Sequence, residues 1–213
     1  MTMLLQQNES RELLLINRPE LTLEIEQQAH SSVRIIVLNL DGNDADNHIS
    51  THHLGKGCTT EIYALAVLSG NEQVSNTSFV GHDVCEGVSK QVFKYILSGS
   101  SKGYFSGKVL IAKDAQHTSA EQTNRNILLS DTARMRTLPQ LEIYADDVKA
   151  SHGASTGRMD DSAVFYMQQR GLSRKQAEAL MLEAFAMEIT SHITDVTQRQ
   201  KAEQLLETAL YNL

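Results

Sequence analysis

The sequence has only two cysteines, Cys58 and Cys85, and they stand in no CxxC or finger-type spacing, which excludes a thiolate zinc module. Two unpaired thiols point to a reducing compartment, and the expectation is a cytoplasmic protein. Basic surplus is missing as well. The formal net charge is -7, and no stretch concentrates Lys and Arg, so a nucleic-acid footprint is not expected. No apolar run approaches the roughly 20 residues that span a bilayer, and no membrane partner is expected. Met1 is followed by only a few mildly apolar residues before Gln6, and no signal peptide is visible. The glycines at 99, 103 and 107 around Lys102–Lys108 lack the GxxxxGK[ST] pattern of a phosphate loop, so no nucleotide cofactor is expected.

What is present is β-texture. Leu21-Thr22-Leu23-Glu24-Ile25-Glu26 alternates strictly, the period-2 signature of a half-buried strand. Apolar runs follow at 33–40, 61–68, 92–97, 103–111, 126–129 and 140–144. Turn-prone Asp41-Gly42-Asn43, Ser69-Gly70-Asn71, Ser98-Gly99-Ser100 and Ser130-Asp131 separate them. Two segments repeat weakly: Val109–Asp114 leading to Gln116–Ala120, and Leu141–Asp146 leading to Lys149–Gly153. Their offset is 32 to 33 residues (109 to 141, 116 to 149). That period suggests stacked units of a solenoid, in which each turn buries its apolar face on its neighbours.

After Gly157 the pattern becomes helical. Asp160–Arg170 ends at Gly171, a C′ residue, and Ser173 with Gln176 forms a capping box. Ala177, Leu180, Met181, Ala184 and Phe185 predict one apolar stripe. Asp195 with Gln198 repeats the cap, and Ala202, Leu205, Leu206, Ala209 and Leu210 predict a second stripe. The expected division is a β body over 1–157 and a small helical domain over 158–213. The stripes pack on one another or on the end of the β body, or offer a partner-binding face.

Few residues suggest chemistry. In NHISTHH, His48 and His52 share one face of a strand and His53 takes the other, but no further donor stands at a helpful spacing. His82 and Cys85 are close in sequence, which is not how nucleophilic dyads are usually built. Asp146 and Asp147 are read as turn residues. His152 stands in a loop of small residues (Ser151, Gly153, Ala154, Ser155) at the border between β body and helices, where its imidazole would be accessible.

The run Asn124–Gly157, NRNILLSDTARMRTLPQLEIYADDVKASHGASTG, resembles the core signature of the SufB/SufD family of iron–sulfur cluster assembly proteins. His82, Cys85, Ser89-Lys90-Gln91, Gly99, Phe105-Ser106-Gly107, Ala115-Gln116, Phe165-Tyr166, Arg170-Gly171 and Glu183-Ala184-Phe185 fit the same pattern. SHGA after LEIYADDVK resembles the SufD branch, where SufB has EHEA. The resemblance implies a right-handed parallel β-helix followed by a C-terminal helical domain, in a chain that is not itself an enzyme. It implies a scaffold role beside a SufC-like ATPase, docked on the C-terminal helices, and a SufB-like subunit at the β-helix end. The partner at that end could instead be a second copy, giving a homodimer. It further implies that His152 is a metal ligand for a transient Fe–S cluster or iron, or a proton carrier, at that interface. Where SufD commonly has Cys two residues before this histidine, the chain has Ala150. Where SufB has a functional Cys, it has Ala133. Family members usually extend further at the N-terminal side. Two other readings of the residues are a carbohydrate-active β-helix enzyme and a structural homo-oligomer without cluster chemistry.

Overall fold

The computed structural model covers residues 1–213, and twelve strands precede three helices along the chain. The strands are β1 (Thr2–Leu5), β2 (Ser10–Ile16), β3 (Glu20–Gln27), β4 (Ser32–Asn39), β5 (Ala45–His53) and β6 (Thr59–Leu68), then β7 (Gln73–His82), β8 (Val88–Leu97), β9 (Lys102–Ile111), β10 (Ser119–Leu128), β11 (Arg134–Ile143) and β12 (Lys149–Gly157). All ladders are parallel. Odd strands form one sheet in the order β1-β3-β5-β7-β9-β11, and even strands form the other, β12-β10-β8-β6-β4-β2. The chain therefore winds as a parallel β-solenoid whose six stacked rungs each take one strand from each sheet.

The two sheets differ in sequence because they differ in what covers them. In β3, Leu23, Ile25 and Gln27 are buried while Glu20, Thr22, Glu24 and Glu26 are exposed. Solvent lies on the outer face of the odd sheet, so the pattern alternates. In β4 and β6 the apolar runs are continuous, and in β8 only Lys94 interrupts the run 92–97, because Ile36, Leu38, Tyr63, Leu65, Val92 and Ile96 point outward and are buried too. What buries them is helix.

The helices are α1 (Asp161–Gln169), α2 (Arg174–Thr190) and α3 (Val196–Tyr211). The predicted caps form: Ser173 and Gln176 make a reciprocal box, and Asp195 Oδ1 accepts from the Gln198 amide at 2.8 Å. Gly171 adopts φ +96° just past α1. Leu182, Ala186 and Ile189 of α2 and Ala202, Leu206 and Ala209 of α3 share one buried cluster with the outward residues of the even sheet, so the helices pack on one another, as expected, and on the flank of the solenoid rather than its end. The α2 stripe is rotated from the predicted one: Leu180 and Ala184 are exposed, as is Leu205 in α3. None of the helices is long and apolar enough to cross a membrane.

Ionic contacts fix the helices at two points. Lys94, with only 1% of its side chain accessible, donates to Glu188 Oε2 at 2.5 Å and to the Phe185 carbonyl at 2.8 Å. Burial draws the Lys94 ammonium below its ordinary range, and Glu188 opposes this. Just past the C-terminal end of α2, His192 stacks on Tyr63 with ring centroids 3.6 Å apart. Arg34 pairs with Glu61 at 2.6 Å, while Thr194 Oγ1 donates to Glu12 at 2.9 Å.

The sequence repeat is the coil itself, with one correction. Val109 pairs with Leu141, an offset of 32, but Ser119 pairs with Lys149, an offset of 30. The turn over 112–118 is two residues longer than the turn over 144–148, so the second half of the repeat slips. Corners stack closely: a Cβ on Gly99 (φ +61°) would lie 2.8 Å from the Gly70 carbonyl oxygen.

Candidate functional site: the open end of the solenoid

Residues 151–155, read from the sequence as a loop, belong to strand β12. This strand is one edge of the even sheet, as β11 is one edge of the odd sheet, and these two edges stand at the same end. β12 pairs only with β10, so its other side offers free backbone N–H and C=O groups. The sequence KASHGASTG has no proline or bulge to block pairing, and residues 151–157 are exposed throughout.

His152 lies at the middle of this edge. Its register partner is Gln122, and beyond that Gln91, both of which point into the solenoid and are buried. Thus His152 occupies an inward position of the last rung. It is exposed because no rung covers it. Ala150 sits two positions away, in register with Ala120, and brings no donor atom. His117 Nδ1 and Asp147 Oδ2 meet at 3.0 Å on the adjoining corner, which confirms Asp147 as a turn residue tied to the rung below.

This chain offers a cluster little by itself. No three His, Cys, Asp or Glu side chains are grouped to hold a metal ion. Cys58 is buried, with its thiol 3.0 Å from the Gly55 carbonyl and 3.1 Å from that of Gln28. Since Fe–S clusters are held chiefly by thiolates, His152 can supply one donor and a facing chain must supply the rest.

The other histidines divide by face, as strand parity predicts. His48 and His52 point outward, to Asp46 at 3.1 Å and Asp83 at 3.7 Å. His53 points inward and meets His82, which the sequence reading had treated separately. Their rings stand edge to face with centroids 4.4 Å apart. His53 Nε2 lies 2.9 Å from Thr60 Oγ1. That hydroxyl gives its own proton to Gln27 Oε1, so the ring nitrogen is the donor. His82 Nε2 lies 2.9 Å from Ser89 Oγ, with no hydrogen bond to Cys85. Burial pushes the His82 imidazole down to about 4 and draws His53 well below the ordinary value, with the charge of His82 adding to the effect on His53. The geometry is that of a neutral structural pair closing one corner. Its sequence signal was a repeated spacing, His53 to Thr60 and His82 to Ser89, 29 residues apart.

A groove of about 1040 Å³ runs between α2 and α3. Its floor includes Leu182, Leu206 and Leu210, and its rim carries Glu178, Glu183, Glu203 and Glu207. Beside it α1 buries only Val164 and leaves Phe165 and Tyr166 exposed.

Residues 4–185 match the family described as "SUF system FeS cluster assembly, SufBD core domain". The chain is similar to an iron–sulfur cluster assembly SufBD family protein of Synechocystis, with 37% identity over 172 residues, covering 81% of this chain and 38% of that protein. It is 36% identical over 162 residues to the iron–sulfur cluster assembly protein SufD of Escherichia coli, covering 76% of this chain and 38% of that one. A SufBD family protein of Mycobacterium leprae is 28% identical over 186 residues, covering 84% of this chain and 47% of that protein. The chain spans less than half the length of each of these relatives.

Proposed function

Because this chain belongs to the SufB/SufD family and is SufD-like within it, we propose that it is a non-catalytic scaffold subunit for iron–sulfur cluster assembly, acting in the cytoplasm. The observation that carries the reading is the open end of the solenoid, an unblocked strand edge with His152 at its centre. A SufB-like subunit docks there by continuing the sheets strand to strand. Backbone hydrogen bonds supply affinity in such pairing and side chains at alternate positions supply specificity. His152 then faces the partner and donates one imidazole nitrogen to the iron or nascent cluster, which is cargo assembled between the chains. In isolation a second copy takes the same edge and gives a homodimer. The two free thiols, Cys58 and Cys85, are in keeping with a reducing compartment.

In this reading the segment 158–213 acts as the docking module for a SufC-like ATPase. Lys94 and the Arg34 network bind that module to the even sheet, so nucleotide-driven motion of the ATPase is passed to the strands that end at His152. Deleting the segment is a poor test, since it would strip the cover from Ile36, Leu38, Leu65 and Ile96 and leave a large apolar face. Substitution of exposed residues is better. The double change Phe165→Ala and Tyr166→Ala should weaken ATPase binding about 30-fold, the scale of an aromatic hot spot, with the thermal midpoint unchanged. Calorimetric titration with the ATPase subunit checks this, and full retained affinity would move the docking surface off α1.

A further inference from the structure

The two strands at the open end present different backbones to a partner. In β12 the Lys149 amide donates to the Thr118 carbonyl at 2.9 Å, so the odd-numbered groups bond β10. The backbone groups of Ala150, His152, Ala154 and Thr156 face the open end as an unbroken row. In β11 the amides of Arg134 and Tyr144 donate to the Ser101 and Ile111 carbonyls at 3.0 and 2.9 Å. Here Met135, Thr137, Pro139, Leu141 and Ile143 turn their backbone to the open end. Pro139, in the middle of that row, has no N–H to give.

The side chains of β11 are uneven too. Arg134 and Arg136 are exposed on its outer face, in register with Lys102 and Tyr104 of β9. Arg134 Nη1 donates to the backbone carbonyls of Asp131 and Ala133, at 2.6 and 3.0 Å, while the Asp131 carboxylate is taken by Arg158. Arg136 lies over the Tyr104 ring, 5.8 Å from its centroid. A cavity of about 340 Å³ beside them is lined by Lys102, Tyr104, Arg134 and Arg136, with no acid in its wall. In a chain of net charge -7 this is a local excess of cation. Like charges in register, as Lys102 and Arg134 are, repel until an opposite charge meets them.

We propose that β11 selects the partner: it disfavours a second copy and accepts an acidic segment of the SufB-like subunit, whose carboxylates meet Arg134 and Arg136. The inference rests on the reading of the open end as the interface, and adds what the other chain carries there. A second copy fits badly. Antiparallel pairing of two β11 strands about Leu138 would set Glu142 of the copy against Arg134. That register leaves Arg136 facing an uncharged Gln140, and Glu142 is already held by Lys108 at 2.8 Å. It also sets Pro139 against Thr137, a pair that should exchange two hydrogen bonds and here makes one, at each of two symmetric places. A second copy therefore holds by β12 and is the weaker occupant. An acidic partner satisfies the cations as well, so attraction to one chain and misfit with the other both act.

The test uses the full chain titrated with the SufB-like subunit at low and at high salt. Arg134→Glu with Arg136→Glu should weaken binding about 100-fold at low salt, with the thermal midpoint unchanged because both side chains are exposed. Added salt should weaken the parent's binding and strengthen the variant's, since screening removes an attraction in one and a repulsion in the other. A second variant acts the opposite way: Pro139→Ala with Gln140→Glu restores the missing donor and offers Arg136 a carboxylate. Sedimentation of this variant alone should show self-association about 10-fold tighter than the parent's. Unchanged affinity in the first variant, or unchanged self-association in the folded second, overturns the proposal. Amide protection on β12 separates the two claims. With β12 protected by the SufB-like subunit, an unchanged affinity sinks the role of β11 alone, whereas an unprotected β12 sinks the reading of the open end.

Discussion

Replacing His152 by alanine is expected to lower cluster assembly by the reconstituted complex about 100-fold, the upper end of the effect of disturbing a metal-site histidine. Stability should change by less than about 0.5 kcal/mol. Both halves follow from position. The imidazole is exposed, makes no hydrogen bond and packs in no hydrophobic cluster, so folding does not use it. It is also the only imidazole on the open edge strand, and Ala150 offers no substitute ligand. A rate equal to the parent's, measured by the growth of cluster absorbance in the intact complex, would remove His152 from the site.

The second large effect concerns acid. His82 is buried and held neutral, its imidazole pushed down to about 4 against an ordinary 6.5. An unfolded chain takes up a proton on this side chain near pH 6.5, whereas the folded chain takes it up only near pH 4. Between these values the unfolded state binds more protons, so stability falls as pH falls. The contribution is fully present above pH 6.5, and at pH 4.5 His82 alone should have removed about 2 to 3 kcal/mol. His53 adds in the same direction, since burial lowers its pKa too. Urea unfolding of parent and His82→Gln at pH 7.5 and 4.5 separates this from carboxylate titration, which both proteins share. The variant's acid loss should be smaller by about 2 kcal/mol. Equal losses would show that the corner histidines are not the acid-sensitive element.

Much of the fold was legible because burial leaves a period in the sequence. The alternation of Leu21, Leu23 and Ile25 marks a sheet with one wet face. The unbroken runs Ile35–Leu38 and Ala64–Leu68 mark one covered on both faces, which in retrospect locates the helices. Among the strands that escaped notice, β5 and β7 carry polar residues inside the solenoid. In β5 and β7 the inward Asn47 and Asn76 bond one another at 3.0 Å, and Asn76 bonds the Tyr95 hydroxyl at 2.6 Å. Such a ladder pairs most of its polar groups inside the solenoid, Asn47 Oδ1 excepted, and erases the apolar signal. β12 was read as a loop for a related reason. Its inward positions Ala150, His152, Ala154 and Thr156 face no further rung, so nothing required them to be large and apolar.

The candidate histidine was visible as a motif, but its surroundings were not. Gln122 and Gln91 lie 30 and 61 residues before His152 (152 − 122 and 152 − 91), and only the register of the coil brings the three together. His53 and His82 were likewise joined by register alone. The helical stripes show the converse. Their period was plain, but a small rotation of α2 about its axis decided that Leu180 faces solvent and Leu182 faces the sheet, and tertiary contact set that rotation.

Amide hydrogen exchange across residues 149–157, with and without a SufB-like subunit, tests the central claim most directly. In the free chain the amides of β12 that do not bond to β10 should exchange quickly, as edge groups open to water do. With the partner bound, those amides should slow by at least about 10-fold, with protection centred on His152. Binding with unchanged exchange over β12, and protection elsewhere on the chain, would contradict the assignment of the open end as the assembly interface.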